Sequence, residues 1–299
     1  MRFLLSLSLA TYFMSGMLSL ANSIRRKGER DVAIFRWPAL AALAVAVIAN
    51  ALWMVARWHD LGHPPFADLY ECFVLLAWCV ALVSMTLEIA GGVRFLGGLS
   101  SLAAAALLVV GLRFVGESRP LPPVLRSPFF APHVVSYFVA YGALTVAALA
   151  AIILLVARAR GKIGPGPIFH PHSDAVRADL PEKIGPGPIF SGGPVLSGLE
   201  AWVGRAGRIG FPFLTLGLVL GAFWGQAAWG DWWSWDPKEV WALITWLLVA
   251  AWFHLWRRGE RGTAVLALLI VAVGAMYFTL FGVNYLPTAE QSVHTYTMP

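Results

Sequence analysis

Long apolar runs separated by short polar segments dominate this chain. They fall near 3–23, 33–56, 67–90, 95–113, 131–157, 209–229, 237–256 and 263–284. Each is about 20 residues long, the length an α-helix needs to cross a hydrocarbon core of roughly 30 Å. The pattern predicts an all-α integral membrane protein with about eight transmembrane helices, forming a single polytopic unit over 1–299. Arg2 precedes the first run, and no small-residue cleavage site occurs before Asn22, so that run reads as a retained span and not as a signal peptide. The fourth run is rich in Ala, Gly and Ser, which suits close helix packing in lipid.

Composition narrows the class. Of 299 residues, 59% are hydrophobic and 13% charged, which excludes a soluble globular domain. The net charge of +6 is no sign of nucleic acid, because in a membrane protein Lys and Arg set orientation. Placing both termini outside leaves Arg2, Arg57, Arg113, Arg119, Arg126 and Lys238 there and the other sixteen cations in the cytoplasm. That asymmetry predicts external loops after the second, fourth and sixth spans. Cys72 and Cys79 lie seven apart on one face of the third span, with neither redox nor zinc spacing, and read as packing residues. Any thiol chemistry then has to come from a partner.

The external segment between the sixth and seventh spans, 229–239, reads Trp229-Gly-Asp-Trp-Trp-Ser-Trp-Asp-Pro-Lys-Glu239. Asp236, Pro237 and Glu239 spell a helix start: an N-cap acceptor, a proline where no donor is needed, and a capping-box acid. Before it, Trp229, Trp232, Trp233 and Trp235 cluster around two aspartates and a glycine. Indoles also gather at any membrane–water boundary. Such belts scatter over many helix ends, whereas nine of this chain's fourteen tryptophans lie between Trp224 and Trp256. A shelf of this kind suits a large, flat, apolar ligand with polar edges.

Three histidines stand out. His133, after Ser127-Pro-Phe-Phe-Ala-Pro132, is placed at the outer end of the fifth span, and His294 lies in the external tail. Two neutral imidazoles reaching a flat ligand from opposite sides are what a bis-histidine haem site requires. His254 comes fifteen residues after Glu239, roughly 22 Å deeper along a helix, and an intramembrane histidine is a functional candidate by default. His63, in the external loop Trp58-His-Asp-Leu-Gly-His-Pro-Pro65, reads as a loop residue with ligation as the alternative. Glu88 is expected to pair with Arg94. The cytoplasmic loop 158–208 repeats Lys-Ile-Gly-Pro-Gly-Pro-Ile-Phe at 162–169 and 183–190, with His170 and His172 between the copies. It ends in a short amphipathic helix expected to lie on the membrane face at 195–203. No chemistry is read from it.

The tryptophan stretch resembles the WWD motif of haem-handling proteins, in particular cytochrome c assembly proteins of the CcsA/ResC type. Gly62-His-Pro-Pro-Phe-Ala-Asp-Leu-Tyr-Glu71, Ser127-Pro up to His133, the His254 segment and Gly282-Val-Asn-Tyr up to His294 follow that family's order. The 158–208 repeat does not match it, and Cys72 stands where the family commonly has Ser. The resemblance implies that His133 and His294 are axial ligands of an external haem b held against Trp229, Trp232, Trp233, Trp235 and Asp236. It also implies that His254 contributes to an intramembrane haem site whose opposing histidine belongs to a CcsB/ResB-like membrane subunit.

The activity so implied takes place in the bacterial inner membrane, with the WWD loop on the periplasmic side. Reduced haem is presented to the Cys-x-x-Cys-His motif of an apocytochrome c, kept reduced by a thioredoxin-like partner, and the two thiols join the vinyl groups as thioethers. The chain then acts as part of a holocytochrome c synthase, mainly by positioning, with no nucleophile of its own. Arg119, Arg126 and Lys238 are the cations available to the haem propionates. Competing readings are a CcmC-like haem exporter, a b-type electron-transfer cytochrome, and a proton-coupled transporter, which the scarcity of acids within the spans disfavours.

Overall fold

The structure, a computed structural model, describes residues 1–24, 35–90, 94–115, 121–160 and 194–287. Among them the only regular secondary structure is helical. The helices are α1 (Arg2–Ile24), α2 (Arg36–Leu61), α3 (Leu69–Ile89), α4 (Arg94–Gly111), α5 (Phe130–Ala159), α6 (Pro194–Trp229), α7 (Pro237–Arg257) and α8 (Thr263–Leu280). All eight are long and apolar enough to cross a membrane, as the runs of the sequence require. His294, His170, His172, Arg119 and both copies of the repeat lie outside the described residues, as does the side chain of Arg94.

α3 is the axis of the bundle. One side of it joins Tyr12, Leu43, Trp53 and Leu108 of α1, α2 and α4 in one apolar cluster. The other side joins α5 to α8 in a second and larger one. A helix covered all round has no polar face, which is why its sequence is apolar throughout. Cys72 and Cys79 are buried there as packing groups. Gly142 of α5 meets the Cys79 backbone so closely that a Cβ would stand 2.7 Å from it. Glu88 is buried beside Gly97 of α4.

Contacts fix which helix ends belong together. Phe73 near the start of α3 stacks on Phe281 after α8 at 4.7 Å and on Phe114 after α4 at 5.5 Å. Arg57, near the end of α2, donates to Glu71 in the first turn of α3 at 3.0 Å, and the Glu71 side chain is 1% exposed. The other Glu71 oxygen accepts the Ala67 amide, and Asp68 accepts the Glu71 amide as N-cap. This network closes the loop that carries His63. Burial pushes the Asp68 carboxyl above the ordinary carboxylate range, partly offset by the Glu71 amide and Arg57. At the opposite end Arg158 pairs with Glu200 at 3.5 Å, and Arg205 donates to the Ala90 carbonyl.

This end of the bundle departs from expectation in one respect. The surface helix expected at 195–203 is the beginning of α6, which runs unbroken for 36 residues through Pro212. Leu199, Trp202, Val203 and Ala206 are buried, with Trp256 and Trp252 of α7 set against Gly204 and Gly207. A stripe of apolar residues with charges on the far side satisfies a lipid surface and a protein groove equally well. The tryptophans of α7 decide for the groove.

Candidate functional site

The tryptophan loop is folded by a single carboxylate. α6 stops at Trp229, where Gly230 turns with φ +88° and returns its amide to the Gln226 carbonyl. Six residues later α7 begins with the capping box that the sequence spells: the Asp236 side chain accepts the Lys238 amide at 2.9 Å, and Glu239 accepts the Asp236 amide at 3.2 Å. The same Glu239 oxygen also takes the Ser234 amide at 2.7 Å and the Ser234 hydroxyl at 3.2 Å. The loop is thus pulled back onto the first turn of α7, with Asp236 buried beneath it.

Drawing the backbone inward turns the indoles outward. Trp235 is 71% exposed and Trp232 53%, large apolar faces for any protein surface. Trp235 adopts φ +61°, the left-handed region that glycine occupies without strain and other residues at a cost of about 1 kcal/mol or more. Trp233 stands edge-on to it at 6.0 Å, and Trp232 meets Phe223 of α6 edge-on at 4.9 Å. Trp229 packs inward, edge-on to Trp224 at 4.9 Å.

His133, in the first turns of α5, does not project from the helix end. Its ring lies in the groove between α5 and α6, where Nδ1–H donates to the Gly217 carbonyl at 2.9 Å. A carbonyl can only accept, so Nδ1 carries a proton, and in the neutral form of such a ring the lone pair is on Nε2. Gly221 makes room for it: a Cβ there would stand 2.8 Å from the imidazole. Trp224 lies against the ring at 5.4 Å and anchors itself by donating to the Val124 carbonyl at 2.9 Å. Tyr137, one turn below, stands edge-on to the imidazole at 4.9 Å.

The other histidines are placed as follows. His63 follows α2 at the same end of the bundle as His133 and the tryptophan loop, with its Nδ1–H toward the Pro64 carbonyl at 3.1 Å. His254 lies at the opposite end, exposed on an α7 face together with Leu247 and Ala251. Helix alternation therefore separates His63 from His254. Among the described residues no three His, Cys, Asp or Glu side chains gather as a bare metal site. Of the expected residues, the structure brings His133, Trp229, Trp232, Trp233, Trp235 and Asp236 to one end of the bundle.

Three participants escaped the sequence reading: Gly217, Gly221 and Trp224. The glycines at 210, 217 and 221 recur at helical spacing, the small-residue signal of a close helix contact. That signal marks an interface but does not say which residue enters it. In the structure Leu144, Tyr137 and His133 of α5 fill these three positions in antiparallel order.

A family model described as cytochrome C assembly protein matches residues 66–289. The chain is 32% identical over 282 residues to the cytochrome c biogenesis protein CcsA of Synechococcus elongatus, covering 86% of each chain. It is 33% identical over 281 residues to the CcsA of Chlorella vulgaris, covering 88% of this chain and 86% of that one. Among solved structures it resembles the cytochrome c heme lyase CcmF with a TM-score of 0.58 at 19% identity. That match covers 95% of this chain and 49% of CcmF, so the chain spans about half of that protein.

Proposed function

Because this chain belongs to the cytochrome c assembly protein family, in its CcsA type, and so acts in cytochrome c maturation, we propose that it presents haem to an apocytochrome at the tryptophan-loop end of the bundle. The haem is held by His133 Nε2 on one side and by His294 on the other. The exposed indoles of Trp232 and Trp235 cover the porphyrin face and keep water from it. Trp229, Trp233 and Asp236 hold that shelf in place.

The observation that carries this reading is the Nδ1–H bond of His133 to Gly217. Ligands of haem iron and other metals almost always have the second ring nitrogen engaged in this way, which fixes both tautomer and orientation. The tryptophan loop at the same end supplies exposed apolar indoles. An apocytochrome Cys-x-x-Cys-His motif then offers its histidine in place of one axial imidazole. Each cysteine thiol adds across a vinyl group, its sulfur bonding to one carbon and its hydrogen going to the other, so the step needs no external oxidant. The chain contributes position and shielding.

His254, exposed on α7 at the other end, is the first holding point for haem on the cytoplasmic side, completed by a histidine of a CcsB/ResB-like subunit against the Leu247 and Ala251 face. The setting is the bacterial inner membrane, with the WWD loop periplasmic and a thioredoxin-like reductant keeping the apocytochrome thiols free.

The direct test co-produces this chain, a CcsB/ResB-like subunit and a Cys-x-x-Cys-His apocytochrome in cells stripped of their own maturation system. Covalent haem on the cytochrome after denaturing electrophoresis is the expected result. Haem that accumulates in the membrane but reaches only a haem chaperone would replace this reading with an exporter. A companion variant separates ring from backbone. Trp235→Gly relieves the left-handed backbone, so the melting transition is expected to stay within about 1 kcal/mol of wild type. Haem retention, read from absorbance, is expected to fall several-fold, and unchanged retention would remove Trp235 from the shelf.

A further inference from the structure

From its first turn onward, α5 carries a ring at every fourth residue: His133, Tyr137 and Tyr141. That spacing puts the three on one helix face, one turn apart. His133 and Tyr137 meet edge-on at 4.9 Å with their planes at 82°, and Tyr137 and Tyr141 meet edge-on at 5.6 Å. The column is anchored at its inner end. Tyr141 is buried, and its carbonyl accepts the Thr145 hydroxyl, which also pairs with the Tyr277 hydroxyl of α8 at 2.8 Å.

The hydrogen bond to Gly217 does not by itself orient the imidazole. It holds one atom, Nδ1, at 2.9 Å from a carbonyl, and the ring can still swing about that contact. Its neighbours along the bundle close off the swing. Trp224 lies one turn nearer the tryptophan loop at 5.4 Å, tilted by 37°, and Tyr137 stands one turn further in. Tyr137 has no room to retreat, because it fills the space beside Gly217, where a Cβ would stand 2.9 Å from its ring. The residue that accepts the imidazole hydrogen bond therefore also seats the ring that blocks rotation about it.

We infer that Tyr137 is a positioning residue for haem at this end: it sets the plane of the His133 imidazole, and with it the direction in which Nε2 presents its lone pair. This rests on the reading that His133 ligates that haem. Groups that orient a ligating ring tune the metal it binds, and here the hydrogen bond fixes the tautomer while the phenol edge fixes the plane. A ligand locked by its surroundings keeps the iron in place while the thioethers form, as catalysis by positioning requires.

The test compares Tyr137→Leu with Tyr137→Phe in the purified full-length chain loaded with haem. In low-spin ferric haem with two axial imidazoles, the spread of g values in electron paramagnetic resonance follows the angle between the two ring planes. Leucine removes the ring edge. The g values are expected to shift and broaden, the reduction potential to move, and haem affinity to fall about two- to tenfold, the size of one edge-to-face contact. Phenylalanine keeps the edge and should reproduce wild type in all three. Gly217→Ala displaces the same ring from the α6 side and should repeat the spectral shift, so it decides the matter if the leucine variant does not fold. Wild-type g values and potential in haem-loaded Tyr137→Leu overturn the inference. So does a Tyr137→Phe variant that shifts as far, since the effect would then belong to the hydroxyl and not to the ring. His133→Ala reports separately on ligation: wild-type spectra in that variant would sink the underlying reading, whatever Tyr137 does.

Discussion

Replacing His133 by alanine is expected to remove most haem from the tryptophan-loop end and to abolish its bis-imidazole absorbance. Affinity should fall by at least about a hundredfold, since losing only an outer hydrogen-bond partner of a ligand already costs roughly 10–100-fold. The ring occupies a groove bounded by Gly217, Gly221 and Trp224. Alanine leaves that groove open, so added imidazole is expected to restore part of the spectrum. A milder change tests the geometry: in Gly221→Ala the new methyl stands 2.8 Å from the ring and must push it off the Gly217 carbonyl. Haem should then remain bound with a shifted reduction potential, because ligand basicity depends on that second bond. Unchanged spectra in His133→Ala would end the assignment.

Glu239→Ala is expected to have the second-largest effect, although this residue would touch no haem. One of its oxygens gathers the Ser234 amide, the Ser234 hydroxyl and the Asp236 amide. Bonds to an ionised acceptor contribute roughly 1.5–3 kcal/mol each when shielded and less at this half-open site. Their joint loss frees the loop to sample conformations in which Trp232 and Trp235 no longer form a surface. Haem retention is expected to drop about tenfold to a hundredfold. The helix content of α7 should hardly change, because a cap is worth only about 1 kcal/mol. Glu239→Gln keeps an acceptor oxygen and should lie between the two. Haem titration alongside circular dichroism reads both quantities, and wild-type affinity in Glu239→Ala would show that the loop is preformed without it.

Much of the architecture was legible because lipid leaves a chain few options. With no water to satisfy the backbone, a run of about 20 apolar residues has to be helical, and eight such runs give eight helices. The capping box at Asp236 and Glu239 was equally plain, since it is a local arrangement of four consecutive residues. Local rules failed at 195–203, where the same apolar stripe fits a membrane surface or a protein groove. The long partner helix α5 and the tryptophans of α7 resolved it, both remote in sequence.

The site divides along the same line. The sequence by itself determined that indoles would cluster after the sixth span, that the loop would end in a capped helix, and that His133 would sit at that end of the bundle. These depend on composition, spacing and chain direction, all of which are written along one strand of letters. Only the tertiary structure decided that the imidazole turns into the α5–α6 groove with its proton toward Gly217, that Gly221 is the space it occupies, and that Trp224 backs it. Those facts depend on the register of two antiparallel helices, and register is set by how side chains of one helix fill the gaps of another. No single segment contains that information.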